Sequence, residues 1–112
     1  MTNITIGIDV SKSFLDVYDS QRKSHKRYPN TDRGVQELLD EYQAYDPSLC
    51  HMILESTGIY QRRVQYAATL REMRVYVVNP RWVRQFARSC GRLAKNDRLD
   101  AKMLCTYGQK VD

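Results

Sequence analysis

Four carboxylates in this chain have the type and spacing for metal-dependent phosphate chemistry: Asp9, Glu55, Asp97 and Asp100. Asp9 lies near the end of the first apolar run, and Glu55 ends the run Cys50 to Leu54. Asp97 and Asp100 are three apart, which on a helix puts them on one face about one turn apart. Hard divalent ions such as Mg²⁺ or Mn²⁺ take oxygen ligands, usually a few carboxylates completed by water and substrate phosphates. Four acids around one pocket would repel one another without a cation between them. Such a set suits phosphoryl transfer with two metal ions, one at the attacking oxygen and one at the leaving oxygen. Each acid also has an ordinary reading. Asp9 could open a hairpin turn, Glu55 could be a solvated strand end, and Asp97 and Asp100 could be first-turn acids favoured by a helix dipole. Asp16, Asp19, Asp32, Glu37, Asp40, Glu41, Asp46 and Glu72 read as solvated or turn residues.

The elements that must position these acids are legible in the periodicity. From Asn3 to Val10, Ile4, Ile6 and Ile8 alternate with Thr5, Gly7 and Asp9, so a strand carries Asp9 on the face opposite the isoleucines. Ser11-Lys12 turns into a second strand, Ser13 to Asp19, and the pair reads as a hairpin. Lys23 to Tyr28 is a polar, edge-like third strand. Asn30 or Thr31 caps a helix to about Tyr45, with Val35, Leu38, Leu39 and Tyr42 as its buried stripe. Cys50 to Leu54 is a strand covered on both faces. Ser56-Thr57-Gly58 turns into a helix from about Ile59 to Met73, and Val75 to Val78 is another buried strand. Asn79 as cap, Pro80 at the first position and Gly91 beyond the end bracket the next helix. There Trp82, Val83, Phe86, Ala87 and Cys90 share the core face, and Arg81, Arg84 and Arg88 share another. A last helix starts near Asp97 and runs to about Tyr107. Three strands followed by alternating helix and strand imply a mixed sheet with helices on both faces. This order resembles the ribonuclease H-like fold. The resemblance, not the periodicity, implies that the first and fourth strands lie side by side at the centre.

A chain of 112 residues bounds the answer to one domain with a modest core. No apolar run approaches the roughly 20 residues of a membrane helix, and no secretory signal opens the chain, so a cytoplasmic protein is expected. Cys50, Cys90 and Cys105 are odd in number and widely spaced, and His25 and His51 are the only histidines. This argues against a zinc site or a disulfide framework and for three reduced thiols, mostly core. Charge is uneven. Residues 1–56 hold 6 Lys and Arg against 9 Asp and Glu, a net of −3, while residues 57–112 hold 12 against 4, a net of +8. A basic half points to a polyanion, and without a lipid-binding amphipathic helix nucleic acid is the better partner.

Four motifs in order then carry a specific resemblance: Ile6-Gly-Ile-Asp-Val-Ser-Lys12, Leu54-Glu-Ser-Thr-Gly-Ile-Tyr60, Val78-Asn-Pro80 and Lys95-Asn-Asp-Arg-Leu-Asp-Ala101. Together they resemble the N-terminal domain of the DEDD transposases, the insertion-sequence one-ten group and the related site-specific DNA invertases. The resemblance spans nearly the whole chain. It implies a RuvC-like, ribonuclease H-like α/β domain over residues 1–112, with a mixed five-stranded sheet. It also implies that Asp9, Glu55, Asp97 and Asp100 form a tetrad binding Mg²⁺ or Mn²⁺ for DNA cleavage and strand transfer. Asn96 stands where the family commonly has Thr. Asn is also a good cap. Family members continue into a second domain whose serine is implied to attack DNA, so this chain alone is expected to be inactive. Ser11, Ser56 and Ser89 do not match that serine's motif. DNA, in some members a guide RNA, the serine-bearing domain and a second copy of the chain are the implied partners, and no membrane is. Lys12, Arg81, Arg84, Arg88, Lys95 and Arg98 are the candidate nucleic-acid contacts. Trp82 and Phe86 are expected in the core.

Three other readings share these residues. A stand-alone junction resolvase or ribonuclease H-type nuclease would use the same acids with water as nucleophile. A sugar-kinase or actin-like phosphate loop would use Gly7 to Lys12, against which the short chain and the lack of a second glycine-rich loop count. A non-catalytic nucleic-acid-binding module would need no metal and would be indifferent to replacement of Asp9.

Overall fold

The alternating run that opens the chain becomes the middle strand of a sheet. In the computed structural model, which describes residues 3–55, 58–91 and 100–111, β1 (Ile4–Val10) pairs antiparallel with β2 (Phe14–Asp19) and parallel with β4 (Cys50–Glu55). β3 (His25–Pro29) joins β2 antiparallel at one edge, and β5 (Arg74–Val78) joins β4 in parallel at the other. The strand order is β3-β2-β1-β4-β5. Ser11 makes the β1–β2 turn: its backbone N–H donates to the Phe14 carbonyl at 2.9 Å, and its hydroxyl accepts from the Phe14 N–H at 3.2 Å.

Because successive strand residues point to opposite faces, β1 and β4 feed two cores. On one face Ile4, Ile6, Ile8, Met52 and Leu54 pack with Val35, Leu38 and Leu39 of α1 (Asp32–Asp40) and Val64 and Ala68 of α2 (Arg62–Leu70). Each of these side chains larger than alanine contributes about 1.5–3 kcal/mol by leaving water. On the other face Ile53 packs with Val83 of α3 (Pro80–Ser89) and Leu104 of α4 (Ala101–Val111). The expected mixed five-stranded sheet with helices on both faces is what forms.

Several boundaries differ from the sequence reading. Thr31 is the cap of α1, its hydroxyl oxygen accepting from the Gly34 N–H at 3.0 Å, but the helix ends at Asp40 rather than near Tyr45. Residues 41–45 continue as turns whose N–H groups bond three residues back, as from Tyr42 to Leu39, a tightening typical of a helix end. Tyr42 stays buried all the same. α2 is shorter than expected at both ends, and Glu72, at φ 64°, reverses the chain into β5. β5 is not a buried strand: it is an edge with one neighbour, so it is half-exposed and Tyr76 faces solvent. α3 is bracketed as expected, with the Asn79 side chain accepting from the Arg81 N–H at 2.9 Å and Gly91 at φ 67°. The expected start of the last helix at Asp97 falls outside the described residues. α4 begins at Ala101 and runs past Tyr107 to Val111. Among the described residues no helix is long and apolar enough to cross a membrane.

Candidate metal centre

The parallel pair at the centre of the sheet sets Asp9 beside Glu55. Ile8 of β1 is in register with Leu54 of β4, so Asp9 and Glu55 occupy the next rung, on strands about 4.8 Å apart. Both are half-buried and both belong to the face that Thr5, Gly7 and Ile53 present to α4.

α4 lies directly on this face. A Cβ placed on Gly7 would come within 2.1 Å of the Ala101 carbonyl oxygen and 2.5 Å of the Cys105 nitrogen, so only glycine admits the helix here. Further along, Gly108 approaches Ile53 and Thr5, and the Cys105 thiol donates to the Thr5 carbonyl at 3.3 Å. The start of α4 is therefore over Gly7 and its end over Thr5, so it runs antiparallel to β1 and begins at the Asp9 end. Asp100 stands at that start. It is not inside the helix, as the spacing suggested, but caps it: Oδ1 accepts from the Met103 N–H at 2.8 Å and the carbonyl accepts from the Leu104 N–H at 3.1 Å.

Three of the four acids singled out in the sequence thus gather at one end of one face. Asp97 falls outside the described residues, and so do Lys95 and Arg98. Among the described residues no three His, Cys, Asp or Glu side chains are close enough to enclose a metal. The donor set is nevertheless of one chemical kind. Carboxylate oxygens from two strands and a helix start suit a hard divalent cation. Burial pushes the Cys105 thiol up to about 11, so it stays protonated and is no soft ligand. Cys50 and Cys105 are buried free thiols and Cys90 is an exposed one.

One acid near the site was read as ordinary. Asp16 of β2 is directly opposite Asp9, and opposite residues of an antiparallel pair share a face. The next strand places Arg27 opposite Asp16, and its Nε donates to Asp16 Oδ1 at 2.8 Å. A row Arg27–Asp16–Asp9–Glu55 therefore crosses the sheet. The guanidinium of Arg27 is held above its usual value first by the hydrogen bond to Asp16 and, to a smaller degree, by the charge of Asp9. The short Ser11–Phe14 turn carried the signal, since it dictates that Val10 meets Leu15 and Asp9 meets Asp16.

Lys12 is exposed in that turn, at the same end of the sheet. Arg81 and Arg88 are exposed on α3, whereas Arg84 is half-buried and engaged. Trp82 is not in the core as expected: it is 55% exposed, because Val83 and Ala87 already fill the seam under α3. Phe86 is half-buried, its ring edge-on to Tyr107 at 5.5 Å.

A mixed sheet in this order, with acids at the carboxyl end of its central parallel pair, defines a ribonuclease H-like domain of the RuvC type. The chain superposes on Thermus thermophilus RuvC, in complex with a Holliday junction substrate, with a TM-score of 0.60 over 92% of this chain and 90% of that one. A second Thermus thermophilus RuvC structure gives 0.57 over 94% and 89%. Identity is 15% in both cases, so these likenesses speak for the fold. Residues 6–111 match the family model of the IS110-type DEDD transposases, described as a transposase, and the chain belongs to that family. It is also 32% identical, over 98% of its length, to the pilin gene-inverting protein of Moraxella bovis and equally to that of Moraxella lacunata. The chain spans 35% of the length of each of these relatives.

Proposed function

We propose that this chain is the metal-binding half of the catalytic centre of a DNA transposase or site-specific recombinase. Asp9, Glu55, Asp97 and Asp100 would hold Mg²⁺ or Mn²⁺. There the ions would supply charge stabilisation at a scissile phosphate. The chain's own residues do the positioning. β1 and β4 hold two carboxylates on one rung of neighbouring strands, α4 starts with Asp100 at the same end of that face, and Arg27 pairs with Asp16 so that the fifth acid turns toward its own cation. Lys12, Arg81, Arg84, Arg88, Lys95 and Arg98 would hold phosphates of the strands around the site. A serine on another part of the longer polypeptide would be the attacking group, so this chain alone would bind metal and nucleic acid without transferring strands. The reading is supported by Asp9 and Glu55 sharing a rung of the central parallel pair, with Asp100 at the start of the helix that lies over that face, in a member of the DEDD transposase family.

Manganese is the direct test. Crystals soaked in Mn²⁺ are expected to show an anomalous peak bounded by Asp9 and Glu55. In solution, Asp9→Asn and Glu55→Gln are each expected to weaken Mn²⁺ binding by roughly tenfold or more, since losing even an outer partner of a metal ligand costs that much. Unchanged Mn²⁺ affinity in both variants would sink the proposal.

A further inference from the structure

Trp82 is the chain's one tryptophan, and the fold leaves it in solvent at a telling place. α3 begins directly after Val78, which pairs across the sheet with Glu55, so the first turn of α3 stands at the carboxylate end. Phe86 reaches Tyr107 on α4, and Trp82, four residues earlier, is on the same flank one turn nearer the start. This puts the indole at the starting end of the α3–α4 seam, toward the end of α4 that Asp100 caps. The Arg81 guanidinium lies 6.0 Å from the centre of the indole ring. α3 carries Arg81, Arg84 and Arg88 and no acid.

An exposed flat ring beside a guanidinium, on a helix of one sign of charge, fits an unpaired nucleobase with its phosphates. Any base has a π-face to stack, and the phosphates neutralise the arginines. A protein surface packed on the ring would have to desolvate the exposed Arg81 guanidinium beside it. A base inside a duplex offers no free face. We infer that Trp82, with Arg81 beside it, stacks on an unpaired base of the strand held at the carboxylate end. This rests on the reading of Asp9, Glu55, Asp97 and Asp100 as the metal centre, and gives that site a positioning residue outside the acids.

With one tryptophan in the chain, fluorescence excited at the red edge of indole absorption, where the eight tyrosines do not absorb, reports this residue alone. A single-stranded oligonucleotide is expected to quench the emission saturably. By anisotropy of a labelled strand, Trp82→Ala is expected to weaken single-strand binding roughly tenfold and Trp82→Phe by only about threefold or less. Duplex binding should change little in either. Circular dichroism melting, expected to match the wild type, separates this from misfolding. Strand binding that leaves the emission unchanged, or a Trp82→Ala variant that binds single strands like the wild type, overturns the inference. So does a variant that binds strands normally but loses self-association in light scattering, since the indole would then be a protein contact. Mn²⁺ binding separates the two proposals. If Mn²⁺ binds as expected but no quenching appears, only the stacking role falls. If Asp9→Asn leaves Mn²⁺ binding intact while Trp82→Ala still weakens strand binding, the metal centre falls and the stacking role is supported.

Discussion

At the scale of residues, the one deeply buried carboxylate among the described residues serves structure, not chemistry. Asp19 ends β2 at 3% exposure. Its Oδ1 accepts from the backbone N–H groups of Gln21 at 2.9 Å and Arg22 at 2.6 Å, and its Oδ2 accepts from the Tyr42 hydroxyl at 2.9 Å. Burial and the adjoining Asp19 charge push the Tyr42 phenol far above its ordinary range, so it remains a donor at any working pH. The bond ties the turn after α1 to the end of β2. Removing the hydroxyl leaves a buried acceptor unmet, so Tyr42→Phe is expected to cost about 1–3 kcal/mol in urea unfolding. Mn²⁺ binding should be untouched, because Asp19 is far along β2 from Asp16. The contrast between Asp19 and Asp16 is one of register alone: three residues separate a fold-holding acid from one beside the candidate centre.

At the scale of elements, α4 is the part on which the site depends. It lies across the face carrying Thr5, Gly7 and Asp9, and its start delivers Asp100. The close approach rests on Gly7. In Gly7→Ala the new methyl meets the backbone of Ala101 and Cys105, which cannot rotate away as a side chain could. The variant is expected to lose about 1–3 kcal/mol in thermal or urea unfolding. Its Mn²⁺ affinity is expected to fall as well, because a displaced α4 carries Asp100 with it. A Gly7→Ala protein as stable as the wild type would show that α4 does not press on β1 in this way.

At the scale of the whole molecule, charge is sorted by sequence half and then by use. Acids of the first half largely meet cations within the fold: Arg27 bonds Asp16, Arg22 and Lys26 converge on Glu41, Arg63 meets Asp32, and Arg71 meets Asp40. These exposed pairs are individually weak. The second half carries a surplus of +8, which Asp32 and Asp40 of the first half offset only in part, and the whole chain keeps a net charge of +5. Nucleic-acid affinity is therefore expected to fall steeply with salt, each phosphate contact contributing about −0.9 to the logarithmic slope on duplex DNA. Arg88→Ala should weaken binding evenly across sequences and flatten that slope by about one unit. Titrations at four or five salt concentrations measure it, and an unaltered slope would remove Arg88 from the interface.

Much of this was legible without coordinates. Period-two alternation specified β1 and the face of Asp9, and an apolar run interrupted only by His51 specified a strand buried on both sides in β4. Asn79-Pro80 and Gly91 marked the ends of α3 to the residue, because caps, prolines and left-handed turns are local chemistry. The four motifs pointed to the family, and with it to a strand order that no periodicity contains. What the chain could not declare locally was decided by packing. Helices α1 and α2 stop short because their last turns tighten toward the next element. β5 is half-exposed because it has one neighbour. Trp82 shares a helical face with Val83 and Ala87, yet the seam closes on the small side chains and leaves the indole outside. Asp16 reads as a solvated strand residue until the hairpin register sets it against Asp9. Periodicity reports which face a residue takes on its own element. Which residues of other elements meet that face depends on register, edge and fit between elements, and only the assembled sheet and its helices determine those.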